Sequence, residues 1–218
     1  DDDDAWRREK LATQLAAAPG GDEWILSSRF TRHAPGEPDV VGPRTLIESH
    51  ERIAAYLYEF RERQAFNMVC TPTLVFPRHV VETVPFSVAG GSIHDDPTWL
   101  IEVRRAFPDI PIIQVAEPLV DIDWTAMSVS RSGVDRSQDY IDWGVRELGD
   151  ETPRVRGDYM LTFAVGSALG AGSFRGVGRS IAAGVRYGRP GRLAWASAAK
   201  SILKLGRQRL RPGADRNG

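Results

Sequence analysis

The chain has 218 residues, 42% hydrophobic and 26% charged, with a single cysteine and a formal net charge of -1. That composition excludes an intrinsically disordered chain and a disulfide scaffold, and no apolar run reaches the length of a membrane span. The even overall charge conceals two opposed halves: residues 1–153 hold 15 basic against 27 acidic side chains, and residues 154–218 hold 13 basic against Asp158 and Asp215. A basic tail behind an acidic body marks a boundary and predicts an anionic partner for the tail or contact with the body itself. With one unbridgeable thiol, Cys70, a reducing cytoplasm is the expected compartment, with a membrane-associated position at the inner face as an option.

The chain opens on Asp1-Asp2-Asp3-Asp4 rather than Met, which reads as a start inside a domain. Good helix formers from Ala5 to Ala18, with Leu11 and Leu15 four apart, predict a helix that Asp4 caps and Pro19-Gly20-Gly21 ends. Trp24–Phe30 reads as a short strand, and Thr45 to about Phe60 as helix after a Pro/Gly-rich loop. Met68–Phe76 reads as a buried strand interrupted at Thr71-Pro72. From Pro97 to Phe107 the residues Trp99, Leu100, Val103 and Phe107 share one helical face, and Ile110–Ile122 gives one or two strands. Ser137 is expected to cap a helix carrying Ile141, Val145 and Leu148.

This alternation predicts an α/β fold over residues 1–150, followed by a basic helical extension over residues 151–218. In the extension, Gly166 with Gly170 and Gly184 with Gly188 repeat at four-residue spacing, which suggests close helix packing.

Two acidic motifs carry the chemistry. One N-cap needs one carboxylate, so four adjacent aspartates repel one another unless a hard cation such as Mg²⁺ or Mn²⁺ sits among them; the bland alternative is a solvated acidic face or a remnant of cloning. Asp95-Asp96, between a Gly-Gly loop and a helix start, is either an N-capping pair or the seat of a general base. His94 is either a loop residue or an acceptor contact, and Thr71 and Thr73 either structural or cleft-lining. Trp6, Trp99 and Trp143 read as packing residues, and Cys70 as a small buried hydrophobe.

In order, these features resemble the inverting family-two glycosyltransferases of the GT-A fold. DDDDAWRREKLATQ, with Trp6, Lys10, Leu11 and Gln14, resembles the family's aspartate-rich segment and the helix after it; CTPTLVFPRHVVETVPFS resembles its Thr-containing strand and loop. GGSIHDDPTWLIEV resembles its acidic-pair helix start, usually Glu-Asp, and IPIIQVAEPLVDI the strands that close the acceptor side.

The resemblance covers about Asp1 to Leu148. It implies a Rossmann-like mixed sheet flanked by helices, N-terminally incomplete because the family's base-binding strands would precede Asp1. It implies a nucleotide-sugar donor near Asp1, Asp2 and Asp3, with Asp1 and Asp3 holding Mn²⁺ or Mg²⁺ and Asp3 the direct ligand. Asp96, beside Asp95, matches the base that takes the acceptor proton as a sugar is transferred with inversion, and Thr73, Gly91 and His94 fall on the acceptor side. The acceptor would be a sugar, a lipid-linked glycan or a small molecule. The segment DIDWTAMSVSRSG lacks the Arg/His pattern expected after the closing strands.

The rival reading is a non-catalytic, degenerate glycosyltransferase fold used for binding or scaffolding. A metal-dependent phosphoryl or nucleotidyl transferase is disfavoured because no Gly-rich phosphate loop with Lys is present. For the basic helices, self-association or packing on the acidic body ranks first, contact with anionic membrane second and nucleic acid last.

Overall fold

The computed structural model describes residues 4–49, 51–61, 67–86, 93–124 and 133–209. It is a mixed α/β protein that divides into two compact units: residues up to Leu57 with 64–130, and residues 58–63 with 131–218.

The first unit is built on a four-stranded mixed sheet of order β1-β4-β2-β3. Strand β2, Ile25–His33, runs parallel to β4, Ile112–Asp123, and antiparallel to β3, Val40–Gly42. β2 is an inner strand in which Ile25, Leu26 and Phe30 are buried together with the polar Ser27, Ser28 and Thr31. The β2–β4 register slips between Ser28 and Phe30, opposite Pro118, which has no N–H to give the ladder. Helices α1, Lys10–Ala16, α2, Ile53–Tyr58, α3, Arg78–Thr83, and α4, Asp95–Ala106, complete the layer; Tyr58, the last residue of α2, belongs to the second unit.

Several local expectations are corrected. The helix foreseen from Ala5 starts only at Lys10, and Asp4 does not cap it: Ala5 and Trp6 form β1, paired with Asp121 and Val120 of β4, while Glu9 occupies the N-cap position. A partner strand more than a hundred residues away captures these residues before the helix can. The strand expected over Met68–Phe76 is instead a 3-10 turn at Thr71–Thr73, with one isolated bridge from Val75 to Leu26. Pro72 sits in the first turn, where a missing N–H costs nothing. The helix foreseen from Thr45 is confined to Ile53–Tyr58.

The second unit is helical: α5, Ser137–Glu147; α6, Pro153–Tyr159; a π-helical turn, Met160–Ala164; α7, Val165–Gly170; α8, Phe174–Tyr187; and α9, Arg192–Arg209. Leu161, Val165, Ala194 and Ala198 form one buried cluster, and Tyr58, Trp143 and Tyr159 meet edge-on or tilted at 5.0–5.6 Å. Thr152 caps α6 through Val155 N–H, and Ser173 caps α8 through Gly176 N–H. Ser137 does not cap α5 as foreseen; it is the first helical residue, its N–H donating to Asp135 and its Oγ accepting from Arg179.

Close approach is real at one glycine pair and missing at the other. A Cβ on Gly184 would lie 2.5 Å from Leu161 and one on Gly188 2.3 Å from Gly157 N, whereas Gly166 and Gly170 have open space around them.

At the centre of this unit Asp158 is fully buried. Its carboxylate accepts from Arg154 Nε at 2.5 Å, from the Gly191 N–H at 2.7 Å and from the Phe60 N–H at 2.9 Å. One side chain thus ties α6 to the start of α9 and to the segment after α2. No helix among the described residues is long and apolar enough to cross a membrane.

Candidate active site around Asp96

Asp96 lies in the first turn of α4, where the unpaired amides of a helix start favour a carboxylate. The helix is anchored just behind it: Trp99 is buried, stacks on Phe86 at 4.2 Å, touches Phe76 at 4.8 Å, and donates its indole N–H to the Val84 carbonyl at 2.7 Å. The 3-10 turn meets the helix start from the other side. Thr71 N–H donates to Asp96 Oδ2 at 3.2 Å, and the Thr71 hydroxyl donates to Oδ1.

Burial pushes the Asp96 carboxyl above its ordinary value, the two Thr71 hydrogen bonds pull it back, and the charge of Asp95 adds to the rise. The net direction is upward. A half-buried carboxylate made more basic and fixed by two donors has the character of a general base.

The same turn reaches the helix that follows the acidic run. Thr73 is fully buried; its hydroxyl shares a 2.8 Å hydrogen bond with Ser27 of β2 and donates to the Cys70 carbonyl, and its own carbonyl accepts from Gln14 of α1 at 2.9 Å. Its hydroxyl is therefore occupied by the scaffold, which makes Thr73 a positioning residue and leaves nothing for an acceptor. Gln14, noted in sequence only as part of a helix pattern, is the link that ties α1 to the turn holding Asp96.

Cys70, immediately before the turn, is buried, and its thiol is pushed well above the ordinary value. Burial is the main cause, and the charges of Asp96 and of Asp4 both add to it. The last aspartate of the opening run and Asp96, 92 positions apart in sequence, thus act on one thiol.

Asp1, Asp2 and Asp3, expected to bind donor and metal, and Gly91, expected on the acceptor side, lie outside the described residues. Among the described residues no group of three His, Cys, Asp or Glu side chains could hold a metal ion. His94 precedes α4 in the left-handed region, φ 59°, a conformation His tolerates better than most residues, and its carbonyl accepts from the Thr98 N–H and hydroxyl. Burial lowers its imidazole to about 4, so it is neutral at physiological pH.

One cluster was not legible in sequence. Arg7, beyond β1, reaches Asp121 of β4 at 3.1 Å and Thr31 at 3.2 Å, while His33 at the end of β2 contacts Asp39 at 2.8 Å and Asp121 at 3.4 Å. The Asp39 hydrogen bond leads in raising the His33 imidazole above its ordinary value; for Asp121, burial opposes and the Arg7 and His33 bonds prevail, holding it low. The cluster joins Arg7, just after β1, to the ends of β2 and β4, and only the strand pairing reveals it.

Lys10, in the motif after the acidic run, is a second surprise. Its Nζ lies 4.0 Å over the Trp6 ring, is almost wholly buried, and has no hydrogen-bond partner among the described residues; Trp6 itself is 56% exposed, a lid on the lysine rather than a core residue. Burial lowers the ammonium to about 8. Unfolded chains keep this proton to roughly pH 10.4, so between these values the unfolded state binds more protons and stability climbs with pH.

Lys10→Met keeps the stem and removes the desolvated charge. It is expected to stabilise the protein at neutral pH by on the order of 1–2 kcal/mol, after the lost cation–π contact is set against the relieved desolvation. It is also expected to flatten the alkaline rise. Urea unfolding at neutral pH and midway up that rise checks both.

Comparison with protein-family models, with curated proteins and with solved structures gives no match.

Proposed function

We propose that the first unit is the catalytic and acceptor-side part of a GT-A-like inverting glycosyltransferase, which uses a nucleotide-sugar donor and Asp96 as the base that activates an acceptor hydroxyl. The observation that supports this reading is geometric: the turn at Thr71–Thr73 clamps Asp96 through the Thr71 N–H and hydroxyl, and through the Gln14–Thr73 hydrogen bond it holds α1, the helix that follows the acidic run. Such a displacement requires the donor-side acidic run and the acceptor-side base to face one cleft.

In this reading Asp96 Oδ accepts the acceptor's hydroxyl proton as the oxygen attacks the sugar's anomeric carbon and the nucleoside diphosphate departs. Thr71 orients the carboxylate, and the buried Trp99 holds α4 so that the carboxylate keeps its place. Asp1 and Asp3 supply carboxylate oxygens of the kind Mn²⁺ or Mg²⁺ takes, and such a cation, when bound, offsets the charge of the leaving diphosphate.

A thermal-shift panel of uridine, guanosine and thymidine diphosphates, with and without Mn²⁺, run on the full-length protein, tests the proposal. A ligand that binds the folded state raises the melting temperature by mass action, about 2.7 kcal/mol of stabilisation at a hundredfold excess over Kd. The expected result is a shift that needs one nucleotide together with the metal and vanishes in Asp3→Ala. No shift with any pair would favour the non-catalytic, scaffolding reading.

A further inference from the structure

The outer faces of α8 and α9 have an unusual composition. From Phe174 to Arg209 the sequence holds nine basic residues and no acidic one. Along α8, Arg175, Gly178, Ala182, Val185 and Arg186 are exposed and fall on one side of the helix, with Val185 61% exposed. Along α9, Arg192, Trp195, Ala199, Lys200 and Leu203 are exposed on one side, with Leu203 63% exposed. The turn between the helices adds Arg189, and Tyr187 lies beneath the Arg186 guanidinium at 5.4 Å.

Three features of these faces bear on their partner. Arg175, Arg186, Arg189, Arg192 and Lys200 form no ion pair with any described carboxylate, whereas Arg136, Arg146, Arg154 and Arg179 each have one. The charge is therefore not consumed by the described acidic residues. Between the basic positions stand aromatic and aliphatic side chains and small residues, and among the described side chains from 174 to 203 the exposed uncharged hydrogen-bonding groups are Tyr187, Trp195 and Ser201. Surfaces that read nucleic acid commonly add Asn, Gln, Ser and Thr to Arg and Lys to meet bases and sugars, and this one offers few of them. Trp and Tyr set among Arg and Lys, with exposed Val and Leu, is the composition of a helix lying in a lipid headgroup layer.

We propose that the exposed faces of α8 and α9 dock on an anionic lipid bilayer, with the arginines and Lys200 meeting headgroup phosphates and Trp195, Val185 and Leu203 entering the acyl boundary. This docking is peripheral. It involves the second unit alone and is independent of any transferase activity of the first.

The test is co-sedimentation of the full chain with phosphatidylcholine vesicles, with and without phosphatidylglycerol, at low and high salt. Binding is expected only with the anionic lipid, falling as salt rises. The exposed double variant Arg192→Ala/Lys200→Ala is expected to bind about thirtyfold more weakly with an unchanged melting temperature. Brominated acyl chains are expected to quench part of the tryptophan fluorescence, and Trp195→Phe to remove that part while still co-sedimenting. Absence of binding to anionic vesicles at low salt overturns the proposal. So does binding that the double variant leaves intact, and so does displacement from the vesicles by a single-stranded oligonucleotide at low concentration, which would assign the surface to nucleic acid.

Discussion

Asp96→Asn is expected to lower sugar transfer by about 10²–10⁴-fold, the range that general-base assistance supplies, while leaving the metal-dependent nucleotide shift in place. Asn has the same shape and can accept from the Thr71 N–H while its amide group donates to the Thr71 hydroxyl oxygen, so the helix start and the Trp99 anchor are retained. What it cannot do is take a proton. The pH profile gives a second readout: because burial raises the Asp96 carboxyl, activity is expected to fall on the acid side through a pKa above the ordinary carboxylate value.

Thr71→Val removes one donor that favours the ionised form and is expected to move that acid limb to still higher pH, which a purely structural threonine would not do. Transfer by Asp96→Asn within a few-fold of the parent would overturn the base assignment, whatever the nucleotide panel shows.

The largest effect on stability is expected at Asp158. Asp158→Ala strips the partner from Arg154 and from the Phe60 and Gly191 amides around a fully buried carboxylate position. Each stranded amide costs about 1–3 kcal/mol, and the partly exposed Arg154, which can turn to water, adds less. The loss is read from the shift of the urea midpoint followed by helical circular dichroism. Arg154→Met is expected to cost less, because Arg154 is 39% exposed and the carboxylate keeps both amide donors. A loss below about 1 kcal/mol in Asp158→Ala would show that the carboxylate is not the knot of this unit.

How far the sequence discloses the structure depends on how local the deciding interaction is. Helix α4 was legible because Trp99, Leu100 and Val103 repeat at helical spacing and bury one face, and the acidic pair stands at its start. β1 was not, because nothing in Ala5-Trp6 shows that β4 will claim it across the intervening chain. The run from Met68 to Phe76 is apolar enough for a strand, yet Thr73 is drawn into a tight turn by partners on α1 and β2.

The candidate site divides the same way. Asp96 is marked by its motif, whereas Gln14, Lys10 and the Arg7–Asp121–His33 cluster acquire their roles only from strand and helix packing. In the second unit the abundance of Gly and Ala announced helices, but which glycines serve close approach was settled by Leu161 and Gly157 rather than by spacing. Buried Asp158 in a basic stretch was visible as a lone acid and silent about its three donors.

The placement of Cys70 has a consequence for chemical reactivity. The thiolate is the form that attacks electrophiles, and this thiol is held protonated by burial and by two neighbouring carboxylates. While the turn at Thr71–Thr73 is closed, alkylating agents find neither access nor nucleophile. Since the chain contains no other cysteine, the rate at which it takes up a thiol label measures how often the surroundings of Asp96 open, a clock for local opening built into the molecule.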